Sequence, residues 1–391
     1  MGSLTDVAKK YTKTLGPGTI IKGSECVVDY PRLPTGIYAV DHAIGGGFPI
    51  GVTSSLYGPP NGGKTLIASR LMASAQNLCW NCFQYLWDCG CDNRTEKDAV
   101  FVSTERFDIG WATRLGVDPD RLWVVEPETG EIAAEIIADS LRSKDCGLVM
   151  LDSLPMLVPA SELEGSVADD TVAVQARMIA KMIRKIKAIL IKQSKPHIAN
   201  RVAFIATNQV RAKIGKGFSK GPSEDQAGGF VPMHDWHLTI RMSQVYSKDR
   251  DKTTELPING KFRASLQAMT NKRKLFVLAG SGEFYVVLGE GSPLSRGTIN
   301  DLKTVAKIAD GADLIDKKKW TFFNHMYETK TAMLQEWVDN PQLFLTVKKS
   351  LVRHFVEEAK ERMDGCISND SPVEETEHVD ELKPHKDDIV V

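Results

Sequence analysis

The stretch GPPNGGKT, Gly58 to Thr65, concentrates residue types suited to holding phosphate. Gly58, Gly63, Lys64 and Thr65 stand at P-loop spacing, with Pro59, Pro60, Asn61 and Gly62 between them. Glycines let backbone N–H groups close on phosphate oxygens, and a helix starting near Lys64 adds its positive end. In such a loop the lysine neutralises the β- and γ-phosphates of ATP, and the Thr65 hydroxyl ligates Mg²⁺. GLVMLDSL then offers an apolar strand ending in Asp152, placed to hold the same Mg²⁺ through water. Hydrolysis also needs a group to orient or deprotonate water. Glu105, closing VFVSTE on another strand, is the best-placed carboxylate, although by spacing alone a surface acid reads equally well.

A second cluster is CWNCFQYLWDCGC, which holds Cys79, Cys82, Cys89 and Cys91, four of the seven cysteines in the chain. Three readings compete: a metal site, a redox pair, and free thiols among Trp80, Phe83, Tyr85 and Trp87. A redox CxxC opens a helix in a thioredoxin-like setting, which this one does not. Four thiolates in the pattern C-x2-C-x6-C-x-C suit tetrahedral Zn²⁺ in a closed, structural site.

These residues need a scaffold. The chain has 391 residues, 42% hydrophobic and 25% charged, enough for one large domain with appendages or two domains. Its net charge of −1 means that any basic surface must be local. No apolar run reaches the roughly 18 residues that span a bilayer. MGSLTDVAKKYTK lacks the apolar core of a signal peptide, and Asp6 spoils a myristoylation pattern. A cytoplasmic chain without membrane partners is expected, where reducing conditions disfavour disulfides.

Residues 5–15 read as a short amphipathic helix ending at GPG. The runs VFVST, LWVVE, GLVMLDSL, VAFIATN, WHLTIRM, FRASLQAM and EFYVVLG read as strands alternating with helices. Near-continuous apolar strands predict an α/β fold with a mostly parallel sheet covered on both faces, the later strands finishing it as antiparallel hairpins. The spacing predicts a helix over 172–192, burying Met178, Met182, Ile186 and Leu190 and exposing a basic face with Arg177, Lys181, Arg184 and Lys185. Residues 212–227 are rich in Gly, Lys and Ser without periodicity and read as a mobile loop. Beyond about 296 the pattern is helical, and from Cys366 the tail is acidic and reads as disordered.

Here the chain resembles a known family. LPTGIYAVDHAIGGGFPIGVTSSLYGPPNGGKT is similar to the approach to the ATP site in RecA-type DNA recombinases. TERFDIGWATRLGVDPDRLWVVEPETGE resembles the segment with that family's catalytic glutamate. GLVMLDSLPMLVPASELEG, QARMIAKMIRKI, ATNQVRAKIG, MTNKRKLF and FYVVLGEGSPLSRG continue the likeness in order, over roughly residues 5 to 360. The cysteine cluster lies in an insertion outside the likeness.

The resemblance implies a RecA-like P-loop ATPase core at 36–295 with the insertion at 79–91. Around it stand an N-terminal helix and oligomerisation segment at 1–35, a small α-rich lobe at 296–363 and an acidic tail at 364–391. It makes Glu105 the water-activating glutamate, Asp108 and Trp111 the adenine contacts, and Gln209 the sensor of the γ-phosphate. Lys272 would reach ATP bound by the neighbouring subunit. Two departures stand out: Thr270 replaces the companion lysine, and Met233 or its neighbours stand where a second inter-subunit base is expected, which implies either weaker activation in trans or a role for Arg273 or Lys274. DNA contacts would come from residues 162–175 leading to Arg177 and Arg184, and from residues 210–229. In the latter, Arg211, Lys213 and Lys216 meet phosphates, Gly228 and Gly229 admit backbone amides, and Ile214 wedges between bases.

The implied function is ATP-dependent recombination: helical filaments on single-stranded DNA, homologous pairing with double-stranded DNA and strand exchange. Single-strand-binding and mediator proteins are the further partners it suggests. A hexameric helicase or another P-loop DNA-dependent ATPase shares the core, and a non-catalytic paralogue regulating filaments is a third class. The N-terminal helix, TERFD and the C-terminal lobe favour the recombinase over the helicase. Intact Lys64, Thr65, Glu105, Asp152 and Gln209 oppose the non-catalytic paralogue.

Overall fold

The structure is a computed structural model that describes residues 3–16, 19–25, 30–165, 172–193, 200–212, 224–226, 235–245, 259–266, 281–288, 295–312, 314–316, 321–322 and 325–367. It begins with α1 (Leu4–Leu15), fixed by a capping box. Ser3 Oγ accepts from the Asp6 N–H at 3.2 Å, and Asp6 Oδ2 accepts from the Ser3 N–H at 2.9 Å. Leu4, Val7, Tyr11 and Leu15 make an apolar stripe on this helix, and all four are exposed. A short antiparallel pair, β1 (Arg32–Leu33) and β2 (Phe48–Pro49), brackets α2 (Tyr38–Ala43).

The core follows as β3 (Thr53–Gly58), α3 (Lys64–Gln76), β4 (Asp98–Ser103), α4 (Ile109–Arg114), β5 (Leu122–Val125), α5 (Gly130–Arg142) and β6 (Cys146–Asp152). It continues through α6 (Ala160–Glu164), α7 (Val172–Gln193), β7 (Ala203–Ala212), β8 (Glu224–Gln226), β9 (Leu238–Val245), β10 (Asn259–Leu266) and β11 (Ser281–Val287). The sheet order is β11-β10-β9-β3-β7-β6-β4-β5, with β8 pairing off β7. From β9 through β5 every pairing is parallel, while β9, β10 and β11 run antiparallel, as the shorter turns between them predict.

β6 shows why its sequence is an unbroken apolar run. Leu148 and Met150 face the core built with Leu66, Ile67 and Leu71 of α3, while Val149 and Leu151 face Ile137 of α5 and Ile179, Met182 and Ile183 of α7. A strand buried on both faces has no polar side to show. Helix α7 buries the four residues that the periodicity assigns to its inner face. Its basic face is partly committed to structure, since Lys185 pairs with Glu135 at 2.5 Å and Lys187 with Asp235 at 2.5 Å.

The C-terminal segment contains α8 (Leu302–Gly311), three two-residue strands β12 (Ile315–Asp316), β13 (Thr321–Phe322) and β14 (His325–Met326), α9 (Lys330–Asp339) and α10 (Pro341–Ile367). Its own apolar cluster includes Val305, Phe322, Trp337 and Leu351, and Tyr38 of α2 completes it. A buried ion pair joins it to the core: Lys348 Nζ lies 3.3 Å from Asp301 Oδ2 and donates to the Gly36 carbonyl at 2.6 Å. Among the described residues, no helix is long and apolar enough to cross a membrane.

Candidate nucleotide-binding site

Parallel strands carry their C-terminal ends to one edge, and the residues singled out for phosphate chemistry collect there. β3 ends at Gly58 (φ 150°), and α3 starts at Lys64 behind Gly63, which sits in the left-handed region at φ 90°. A Cβ on Gly58 would fall 2.1 Å from the Met242 carbonyl oxygen, and one on Gly63 would meet the Phe262 ring at 2.8 Å. The loop is therefore pressed against β9 and β10, and only glycine fits. Gly58→Ala is expected to weaken ATP binding about 10- to 100-fold, for a cost of about 1–3 kcal/mol. Titration with a fluorescent ATP analogue reads it; unchanged affinity would show that the loop does not need this packing.

Lys64 donates to the carbonyls of Gly58 (3.0 Å) and Pro59 (2.9 Å), so its ammonium lies over the loop. Burial pushes its pKa down, while the nearby charges of Asp152 and Glu105 push it up. Thr65 Oγ1 donates to Asp152 Oδ2 at 3.1 Å, which places the hydroxyl and carboxylate singled out for Mg²⁺ side by side. Asp152 Oδ1 is held by the Thr207 hydroxyl at 2.5 Å. The cage, the cation and this hydroxyl–carboxylate pair fit an Mg²⁺-bound triphosphate.

Glu105 is exposed two residues beyond β4, whose Ser103 pairs with Asp152 in register. The Ser103 hydroxyl donates to the Glu105 carbonyl at 2.5 Å and fixes that turn. Asp108 caps α4, its Oδ1 accepting from the Trp111 N–H at 2.9 Å. Trp111 is half-buried, and the Arg296 guanidinium lies over its ring at 5.4 Å. Gln209 is the register partner of Gly58 on β7. Directly after it, Val210, Arg211 and Ala212 pair with Gln226, Asp225 and Glu224. The segment read as an aperiodic loop is thus closed by a short antiparallel stem.

Sequence reasoning missed Thr207, Arg296 and Phe262. The polar Thr-Asn pair ending an otherwise apolar strand was the available signal for Thr207; Arg296 and Phe262 carried none. Arg177 and Arg184 are both exposed on α7. Gln175 ties the start of that helix to the carbonyls of Pro155 (3.0 Å) and Leu157 (2.9 Å), after β6. Arg184 therefore stands about 10 Å further along the axis from that edge than Arg177. Lys213, Ile214, Lys216, Gly228, Gly229, Met233, Thr270, Lys272, Arg273 and Lys274, and the 368–391 tail, lie outside the described residues.

The cysteine cluster is compact. The sulfurs of Cys79, Cys82, Cys89 and Cys91 all lie within 4.8 Å of one another, and no two of them are bonded as a disulfide. A tetrahedral Zn²⁺ with bonds near 2.3 Å requires sulfur separations of about 3.8 Å, so the four need only small adjustments. The Cys91 N–H donates to Cys89 Sγ at 3.4 Å, and backbone amides of Thr95, Cys82 and Asn81 point at Cys79. Of the aromatic residues around them, Trp80 and Tyr85 are buried, and the Trp80 indole Nε1–H donates to the Ala75 carbonyl at 3.1 Å.

A profile of the RecA N-terminal domain matches residues 3–258. The chain belongs to the RecA family. It is 31% identical over 351 residues to Protein RecA of Bacteroides thetaiotaomicron, covering 87% of this chain and 93% of that one. Protein RecA of Nostoc punctiforme is 27% identical over 390 residues, covering 98% of this chain and 97% of that protein. Protein RecA of Porphyromonas gingivalis is 30% identical over 327 residues, with 83% and 84% covered. The recombinase reading goes with RecA-family membership, and neither the helicase nor the non-catalytic regulator is favoured.

Proposed function

We propose that this RecA-family chain is a cytoplasmic, DNA-dependent ATPase that forms helical filaments on single-stranded DNA, takes up double-stranded DNA and exchanges homologous strands. The observation that carries the reading is the shared rung of Gly58 and Gln209, with the stem of 210–212 paired to 224–226 springing directly from it. Lys64 and the loop amides bind the triphosphate, and Asp108 and Trp111 hold adenine, Arg296 already lying over the Trp111 ring. Mg²⁺, held through Thr65 and Asp152, supplies charge neutralisation at the phosphates. Glu105 orients and deprotonates the attacking water.

Gln209 meets the γ-phosphate and passes its presence to the stem, so ATP and DNA binding are coupled, and reciprocally so. The DNA contacts are Arg177, Arg184, Arg211, Lys213, Ile214, Lys216, Gly228 and Gly229, chiefly to the phosphate backbone. Sequence identity is then read by base pairing rather than by protein. Lys272 completes the ATP site of the adjacent protomer, and the exposed stripe of α1 docks on that neighbour. The four cysteines hold a structural Zn²⁺.

Negative-stain microscopy with single-stranded DNA and a slowly hydrolysed ATP analogue tests the assembly. Continuous helical filaments are expected, and closed rings would overturn the reading. DNA-dependent ATPase measured alongside strand exchange tests the activity: ATPase without exchange would leave only the coarser function.

A further inference from the structure

The cysteine knuckle sits between the end of the P-loop helix and the last long helix of the chain. α3 ends at Gln76, only three residues before Cys79. On the core side, Trp80 packs so closely on β6 that a Cβ at Gly147 would meet its ring at 2.4 Å. On the other side, it touches α10. Trp87 Nε1 donates to Thr346 Oγ1 at 3.0 Å, and Trp87 stacks on Tyr85 with ring centres 4.7 Å apart. The Lys349 ammonium donates to the Phe83 carbonyl, next to Cys82, and lies 5.0 Å from the Tyr85 ring centre.

We propose that Cys79, Cys82, Cys89 and Cys91 form a Zn²⁺ site whose task is to brace α10 against the nucleotide-binding core, with Lys349 as the charge partner that α10 offers to the thiolate cluster. This rests on the zinc reading given above. Two physical arguments carry it. The segment 79–91 has little regular structure of its own. It contains one isolated bridge between Leu78 and Tyr85, a three-residue turn at Leu86–Asp88, and Phe83 at φ 59°. Such a segment holds a defined shape when it is cross-linked, and a metal supplies that cross-link in a reducing compartment.

The second argument is charge. Four thiolates around Zn²⁺ leave a net charge of −2 close to the protein interior. Such charge needs cations and N–H donors nearby. The N–H donors are the amides directed at Cys79 and Cys89, and the nearby cations are Arg94, which donates to the Cys89 carbonyl at 3.3 Å, and Lys349. Of these two cations, Lys349 is the one that the C-terminal segment provides. Loading the metal therefore strengthens the attraction between knuckle and α10, and withdrawing it weakens that attraction.

The experiment uses the full chain and reads neither ATP nor DNA, so its failure is separable from failure of the recombinase reading. Elemental analysis of purified protein is expected to find about one zinc per chain, lost in Cys82→Ser. Hydrogen exchange is then followed in α10 before and after zinc withdrawal by a chelator. Exchange across 343–356 is expected to rise about tenfold or more, while β6 stays slow. Lys349→Met is expected to keep its zinc and still show faster exchange in α10, which guards against Cys82→Ser simply failing to fold. Absence of zinc, or iron in its place, overturns the site. Zinc present with α10 equally protected after its withdrawal overturns the brace.

Discussion

Replacing Glu105 by Gln is expected to cut ATP turnover by about 10²- to 10⁴-fold, the range a positioned general base contributes, with ATP affinity nearly unchanged. Glutamine keeps the size and hydrogen-bonding reach of the side chain and removes its basicity. The surrounding frame does not depend on the charge. The turn after β4 is fixed by Ser103 and by the Thr104 N–H donating to the Asp152 carbonyl at 2.9 Å, both independent of the Glu105 carboxylate. Single-turnover hydrolysis and nucleotide titration on the same preparation separate the two effects. Loss of turnover with binding intact is the expected pair; unchanged turnover would remove Glu105 from the chemistry.

The second large effect is expected at Lys64. Lys64→Ala should weaken ATP binding by about 3 kcal/mol, roughly two powers of ten in affinity. The ammonium lies 3.0 and 2.9 Å from two loop carbonyls and is flanked by the carboxylates of Asp152 and Glu105. Burial lowers the Lys64 pKa and those acids oppose that effect, while the ammonium is placed to exchange carbonyl contacts for phosphate oxygens. Without it, the triphosphate would meet two nearby carboxylates with less cationic compensation. Calorimetric titration of ATP reads the loss. A Kd within a factor of about three of the unaltered protein would show that backbone amides and Mg²⁺ carry the binding without Lys64.

Much of this frame can be read from residues alone, for definite physical reasons. β6 and β7 are continuous apolar runs because each is covered on both faces, and α7 declares itself by the spacing of Met178, Met182, Ile186 and Leu190. The P-loop is legible because its glycines answer a local backbone demand. What sequence does not show is which side chains meet across the sheet. Thr207 holds Asp152 only because β6 and β7 are neighbours, and Arg296 reaches Trp111 from nearly two hundred positions away. The stem at 210–212 and 224–226 was also hidden, since Glu-Asp-Gln has no strand-like pattern and its pairing comes from continuing β7. The cysteines were legible as a spacing, but their position against α10 depends on Trp87 and Lys349 meeting a helix more than 250 residues later.

The buried pair of Lys348 and Asp301 bears on how this protein can be cut. Asp301 also accepts from the Tyr38 N–H at 3.2 Å, and Lys348 caps the Gly36 carbonyl, so the turn that opens α2 borrows two of its partners from the far end of the chain. A fragment ending before Lys348 would strand a buried carboxylate and a buried carbonyl together. The natural seam for a shortened protein therefore lies beyond α10, not between the sheet and the helices that follow it.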